Sequence, residues 1–404
     1  MDEIRQISDR YHFNVYRRLP VVFSRGKGSK IWDMQGRKYI DFLAGISVNS
    51  LGHNHPEVVK AIRQQAAKLI HISNIYYSEP QTRLAELLCR ISGYEKVFFC
   101  NSGLEANEAA IKIARRFGAK HNKSGNIFSF TNCFHGRSIS SITMGSEKYK
   151  KGFGPFPSGF GKISFNDIGD LRDKINRDSI AIFVEPVQGE GGIIPAAPEF
   201  MRELARLCRE NNVLLICDEI QCGIGRTGKF FAFEHFNIRP DLVTVAKSLG
   251  GGIPIGAVIT DKKIADLIEP GDHGSTFGGN PLACASSHAV LSVIQNENLT
   301  ERVRVTGNYF LNALKSGLSG LPGVKEIRGI GLMLGVEMEY PCRPLVEKML
   351  EKGFLINCTS EKTLRFLPPF IISTREIDAM LRALKMCILS MKPEPVESAA
   401  HSIY

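Results

Sequence analysis

The chain has 404 residues, with 51 Lys plus Arg against 41 Asp plus Glu and a formal net charge of +10. That length exceeds what one hydrophobic core serves, so two domains are expected, and the absence of any run of about 18 apolar residues or of an apolar leader argues against a membrane-spanning or secreted chain. The basic surplus is dispersed, with one small cluster at Lys148, Lys150 and Lys151, which argues against a nucleic-acid partner and suits attraction of acidic small molecules.

From the N-terminus, residues 28–43 carry Trp32, Gly36, Tyr39 and Ile40 in short extended pieces around an Asp33-Met34-Gln35-Gly36 turn. His53 and His55 have the spacing of two metal ligands but no third ligand near them, so turn packing and no metal are expected. The apolar run ending at Cys100 reads as a strand. Asn101-Ser102-Gly103-Leu104 then leads into a helix whose Ala106, Ala110, Ile113, Ala114 and Phe117 recur at helical spacing. Further strands are expected at 127–130, 180–184, 213–217 and 241–246, helices at 200–210 and 280–296, and short strands at 329–336 and 364–367. Strands alternating with helices predict an α/β large domain built on a mainly parallel sheet. Ten irregularly spaced cysteines without a Cys-x-x-Cys pair lead to an expectation of reduced thiols and a cytoplasmic setting. The tail from Lys392, with Pro393 and Pro395, is expected to be loose.

Chemistry gathers at the carboxyl ends of these strands, where ligands bind in open α/β sheets. Lys247 follows the apolar run 242–246 and precedes Gly250, Gly251 and Gly252; burial there disfavours its charge and makes the amine a nucleophile toward a carbonyl. Asp218 ends the strand before it and suits a protonated ring nitrogen. The helix start at Ser102–Leu104 offers free backbone N–H groups and a positive dipole end to a phosphate. In Phe134-His135-Gly136-Arg137 a ring able to stack on a flat ligand stands three residues from a guanidinium able to grip a carboxylate. Singly, each has an ordinary reading as a solvated lysine, a capping carboxylate or serine, or a surface arginine. Together they suit pyridoxal 5'-phosphate.

Six motifs then occur in order: Asn-Ser-Gly-Leu-Glu-Ala-Asn-Glu at 101–108, Phe-His-Gly-Arg at 134–137, Glu-Pro-Val-Gln-Gly-Glu at 185–190, Asp-Glu-Ile-Gln-Cys-Gly-Ile-Gly-Arg-Thr-Gly at 218–228, Ala-Lys-Ser-Leu-Gly-Gly-Gly at 246–252 and Ser-Thr-Phe-Gly-Gly-Asn-Pro at 275–281. Between about Tyr16 and Arg365 the chain resembles the class III, fold type I aminotransferases that use pyridoxal phosphate, and among them most the acetylornithine aminotransferases. The resemblance implies a large cofactor-binding domain at 51–295, a smaller α+β domain from 1–50 and 296–390, a flexible tail at 391–404, and a homodimer with shared active sites.

It also implies roles. Lys247 would hold the cofactor and then serve as the catalytic base, with Asp218 on the ring nitrogen and Gln221 on the phenolic oxygen of a binding stretch that includes Glu219 and Ile220. Phe134 would stack on the ring, and Ser102, Gly103 and Leu104 would hold the phosphate. Thr276, together with Ser275 on the substrate side, would come from the neighbouring subunit. Arg137 would bind the distal carboxylate of the substrate and Arg365 the carboxylate next to the reacting amine of glutamate, with Glu190 covering Arg365 when the donor is an acylated diamine. Glu185 would support the cofactor region, and Tyr16, near Arg18, would line the entrance. Ile46 stands where enzymes acting on free ornithine typically carry tyrosine, and an apolar wall there favours an acylated nitrogen. N2-acetylornithine is thus the expected amino donor and 2-oxoglutarate the acceptor. N-succinyl-diaminopimelate, free ornithine and 4-aminobutyrate are the alternative donors, and a scaffold or nucleic-acid-binding protein on the same fold is the alternative of another class.

Overall fold

The computed structural model describes residues 2–391, so the tail expected to be loose falls, from residue 392 on, outside the described residues. Strands β1 (Phe23–Lys27), β2 (Lys30–Asp33) and β3 (Lys38–Asp41) form an antiparallel sheet near the N-terminus. Asp33 builds the β2–β3 turn by accepting hydrogen bonds from the backbone N–H groups of Gln35 and Arg37 and from the Tyr39 hydroxyl, the local bonding that favours aspartate in turns.

The central sheet holds β4 (Lys96–Cys100), β5 (Ile127–Phe130), β6 (Phe160–Ile163), β7 (Ala181–Val184), β10 (Leu214–Asp218), β11 (Leu242–Val245) and β12 (Gly256–Thr260), in the order β4-β12-β11-β10-β7-β5-β6. A short hairpin of β8 (Val187–Gln188) and β9 (Ile194–Pro195) follows β7. Pairing is parallel from β11 through β6, whereas β12 runs antiparallel to both β11 and β4. Strands β5, β7, β10 and β11 are buried along their whole length, which is why they read as mainly apolar runs, interrupted by Ser129 in β5 and Thr244 in β11. Two strands of the central sheet were not anticipated. Gly161 and Lys162 dilute β6, which is only half-buried, and β12 follows so closely on the 250–252 glycines that it merges with their loop in the sequence.

In the C-terminal part, β13 (Val324–Ile330) and β14 (Met333–Met338) form a hairpin. Residues 329–336, expected as one strand, therefore span its turn. Gly331 makes that turn at φ +57°, where a Cβ would also collide with the Thr227 backbone. Strand β15 (Phe354–Leu355) joins β3 in parallel, so the two ends of the chain meet in one sheet. Strands β16 (Asn357–Thr359) and β17 (Thr363–Phe366) complete the order β13-β14-β17-β16.

Arg226, fully buried, ties these parts together. It donates to the Ser47 and Ser50 hydroxyls and to the carbonyls of Leu332 and Pro368. The expectation of ten reduced thiols is corrected at one pair: Cys342 and Cys358 are disulfide-bonded, with Cα atoms 6.0 Å apart, while the other eight are free. The fold places β16 beside the start of the helix Arg343–Glu351, a proximity that sequence spacing does not reveal. Among the described residues no helix is long and apolar enough to cross a membrane, and no three His, Cys, Asp or Glu side chains cluster as metal ligands. His53 bonds Asp41 at 2.8 Å.

Candidate active site

A cavity of about 490 Å³ opens at the carboxyl ends of β4, β7, β10 and β11 and is lined by Ser102, Phe134, Arg137, Asp218, Gln221 and Lys247 among others. Lys247 leaves β11 with a left-handed backbone, φ +46°, a conformation that costs about 1–2 kcal/mol outside glycine and is typically held only where the surroundings fix it. Burial lowers the pKa of its ammonium, Arg365 lowers it further, and the carboxylates of Glu190, Asp218 and Glu185 oppose the shift.

Asp218 is buried at the end of β10. Its Oδ2 accepts from Asn107 Nδ2 at 2.8 Å and from His135 Nδ1 at 2.7 Å, and its Oδ1 from the Ile220 N–H. Asn107 is held in turn by the Thr244 hydroxyl. Burial works against charge on His135, yet Cys133 and Asp218 outweigh it and raise its pKa well above the ordinary value. Cys133 follows suit: burial opposes its thiolate, but His135 and Lys162 bring it down to about 7. His135 and Asn107 together satisfy the buried Asp218 Oδ2 inside the protein.

The helix Gly103–Lys120 points its N-terminus into the same cavity. Ser102 caps it by accepting from the Glu105 N–H, and Gly103 has no room for a Cβ because Ile220 lies 2.7 Å from where it would sit. Phe134 meets Tyr149 edge to face at 5.5 Å, and the Arg137 guanidinium lies over both rings, at 5.8 and 4.8 Å. Glu185 accepts from the N–H groups of Phe134 and Gly189, joining the aromatic loop to the β8–β9 hairpin; burial pushes its carboxyl up to about 8.

Arg365, buried on β17, donates through NH1 to Glu190 Oε1 at 2.5 Å and to Gln221 Oε1 at 3.2 Å, and through Nε to Asn357 Oδ1 at 3.1 Å. Burial disfavours the Glu190 carboxylate, but Arg365 and Lys247 more than compensate and lower its pKa.

Other expected site residues lie elsewhere. Glu219 is not among the residues lining the cavity, and its carboxyl oxygens accept from the Ala232 and Phe233 N–H groups at 2.8 Å each. Tyr16 is exposed and lines a groove with Val346 and Leu350. Ile46, at φ +62°, packs on the Val187, Ile193, Met333 and Leu367 cluster, and Val48 reaches the cavity instead. Ser275 and Thr276 line a neighbouring hollow that shares Asn101 with the main cavity; Asn101 Nδ2 donates to Ser275 Oγ at 3.1 Å. The sequence reading missed Asn107, Tyr149, Asn357 and the link from His135 to Asp218. A polar residue on the buried face of an otherwise apolar helix was the available signal for Asn107.

Burial raises the Glu219 pKa from 4.5 to about 8. A carboxyl raised in the folded state contributes stability that is complete below the unfolded pKa and lost as pH rises through the folded one. Glu219→Gln, which cannot ionise, is therefore expected to gain unfolding free energy relative to wild type as pH rises from about 5 to 8, by at most roughly 1.4 kcal/mol per pH unit, read from denaturant unfolding at each pH. A constant difference between the two proteins across that range would contradict the assignment.

The family profile Aminotransferase class-III matches residues 12–388. This chain is a class III aminotransferase. It is 49% identical to the acetylornithine aminotransferase of Methanocaldococcus jannaschii, over 96% of this chain and 98% of that one. The structure of the ornithine aminotransferase from Toxoplasma gondii, with pyridoxal phosphate at partial occupancy in its active site, matches with a TM-score of 0.93 at 36% identity, over 96% of this chain and 94% of that one. The acetylornithine aminotransferase of Elizabethkingia anophelis matches with a TM-score of 0.88 at 34% identity, over 96% and 99%. Class III aminotransferases are pyridoxal-phosphate enzymes of fold type I that move an amino group from a small-molecule donor to a 2-oxo acid. The cavity of this aminotransferase fits that cofactor: a buried, hydrogen-bonded aspartate, a helix start stripped of Cβ bulk, an aromatic face and a lysine of depressed basicity all line it.

Proposed function

We propose that the enzyme exchanges the terminal amino group of N2-acetyl-L-ornithine with 2-oxoglutarate, giving N-acetyl-L-glutamate 5-semialdehyde and L-glutamate, a step of arginine biosynthesis in the cytoplasm. The observation that carries this reading is the Glu190–Arg365 ion pair at 2.5 Å, joined to the cavity through Gln221, which lines it and hydrogen-bonds both partners. Glutamate presents a carboxylate beside its reacting amine, which Arg365 binds once Glu190 moves aside. The acylated diamine presents bare methylene there, and Arg365 would face it as an uncompensated buried charge, at a penalty of several kcal/mol, were Glu190 not paired with it. Arg137 binds the distal carboxylate of both substrates bidentately. Similarity to enzymes named for acetylornithine supports the same substrate.

When bound, pyridoxal phosphate supplies a ring that accepts the electrons released at the substrate carbon. Lys247 would hold it through its aldehyde and, once freed, its Nζ would take the proton from the substrate carbon that bears the amine. Asp218 would face the ring nitrogen, Ser102–Leu104 the phosphate, Phe134 the ring and Gln221 the phenolic oxygen. We read residues 51–295 as the cofactor domain and the two chain ends as the smaller one.

A homodimer with shared sites completes the reading. Ile75, Tyr77 and Phe277 are 83%, 101% and 61% exposed, and Asn74 bonds the carbonyls of Ser275 and Gly278, joining both segments into one apolar surface beside Thr276. Such a patch is characteristic of a subunit interface. Rates with N-acetylornithine, N-succinyl-diaminopimelate, ornithine and 4-aminobutyrate, each against 2-oxoglutarate, test the substrate. The highest kcat/KM is expected for N-acetylornithine; a preference for a free diamine or for 4-aminobutyrate would overturn it.

A further inference from the structure

Strand β16 touches both halves of the Glu190–Arg365 pair. Asn357 and Arg365 are direct cross-strand partners in the β16–β17 ladder, and Asn357 Oδ1 accepts from Arg365 Nε at 3.1 Å. Two residues on, hence on the same face of the strand, the Thr359 hydroxyl donates to the Glu190 carbonyl at 2.9 Å and lies 3.5 Å from Glu190 Oε2. Ser360 donates to the same carbonyl at 3.0 Å.

We infer that Asn357 and Thr359 are positioning residues that set the balance between the two amino donors, Asn357 by aiming Arg365 and Thr359 by holding Glu190 in its paired position. The inference rests on the gating role given to that ion pair above. A guanidinium has one edge at Nε and a fork at its two terminal nitrogens. Anchoring Nε on Asn357 fixes the plane and leaves the fork for a carboxylate, whether that of Glu190 or that of glutamate. Without an acceptor at 357 the buried Nε–H lacks its partner and the fork loses its aim. Thr359 acts at the other end. By pinning the Glu190 backbone it confines movement to the side chain, which then returns to Arg365. Loss of the pin weakens the paired state, which the acylated diamine needs and glutamate does not.

The test uses holoenzyme variants Asn357→Leu, Thr359→Val and Thr359→Ser in single-turnover half-reactions with glutamate and with N-acetylornithine, plus calorimetric binding of glutarate, a dicarboxylate that cannot react. Asn357→Leu is expected to lower kcat/KM for glutamate about tenfold more than for N-acetylornithine, and to weaken glutarate binding by a similar factor. Thr359→Val is expected to move the ratio the other way by about tenfold, and Thr359→Ser to restore it. Equal losses in both half-reactions, or an unchanged ratio, would overturn the inference. If the wild-type enzyme reacts with glutamate but not with N-acetylornithine, the proposed function falls instead, and glutarate binding by Asn357→Leu still decides the role of Asn357.

Discussion

Lys247→Ala is expected to lower the rate of amino transfer by on the order of 10⁴-fold, the upper range for losing a positioned general base. The reason lies in the setting of the amine. Lys247 leaves a wholly buried strand in a left-handed turn that fixes its direction, and burial disfavours its charged form, which favours an amine able to act as nucleophile and base. Alanine removes both functions while leaving the phosphate cradle at Ser102–Leu104 and the carboxylate of Asp218 in place. The variant is therefore expected to take up cofactor yet turn over very slowly, and added small primary amines are expected to return part of the rate. A variant within tenfold of wild type would exclude Lys247 from the chemistry.

Asp218→Asn is expected to lower kcat by roughly 10²–10³-fold, the range for removing one preorganised electrostatic contact from an active site. The substitution keeps shape but removes the carboxyl that the proposed reading places at the ring nitrogen. It also leaves His135, whose imidazolium is held at 2.7 Å by Asp218, without its counter-charge in a buried site. Its pKa should then fall, and a protonated ring nitrogen would have no carboxylate to hold it. The expected signature is a kcat loss with little change in KM for N-acetylornithine, because the proposed reading gives its carboxylate to Arg137 rather than to this group. A loss below tenfold, or one confined to KM, would contradict the role.

Much of this site could be read from the sequence because its groups sit at ends of buried strands. The runs before Asp218 and Lys247 are apolar except for Thr244, and the carboxyl end of such a strand marks a ligand crevice. Strand β6 was illegible because Gly161 and Lys162 interrupt it, and the β13–β14 turn because Gly331 sits inside an apolar run that satisfies a strand pattern equally well. Partners that arrive from distant segments were also hidden. Asn357 meets Arg365 only through the pairing of β16 with β17, and Asn107 meets Asp218 across 111 positions. Glu219 shows the opposite limit: adjacency to Asp218 suggested cofactor contact, but neighbouring residues at a strand end face different ways, and its carboxylate is occupied by the backbone of Ala232 and Phe233.

The most direct test of the central claim is borohydride reduction of the purified holoenzyme, followed by digestion and mass mapping of the cofactor-bearing peptide. The label is expected on Lys247 alone and is expected to vanish in Lys247→Ala. A label on another lysine, such as Lys162 beside Cys133, or no label at all, would contradict the account.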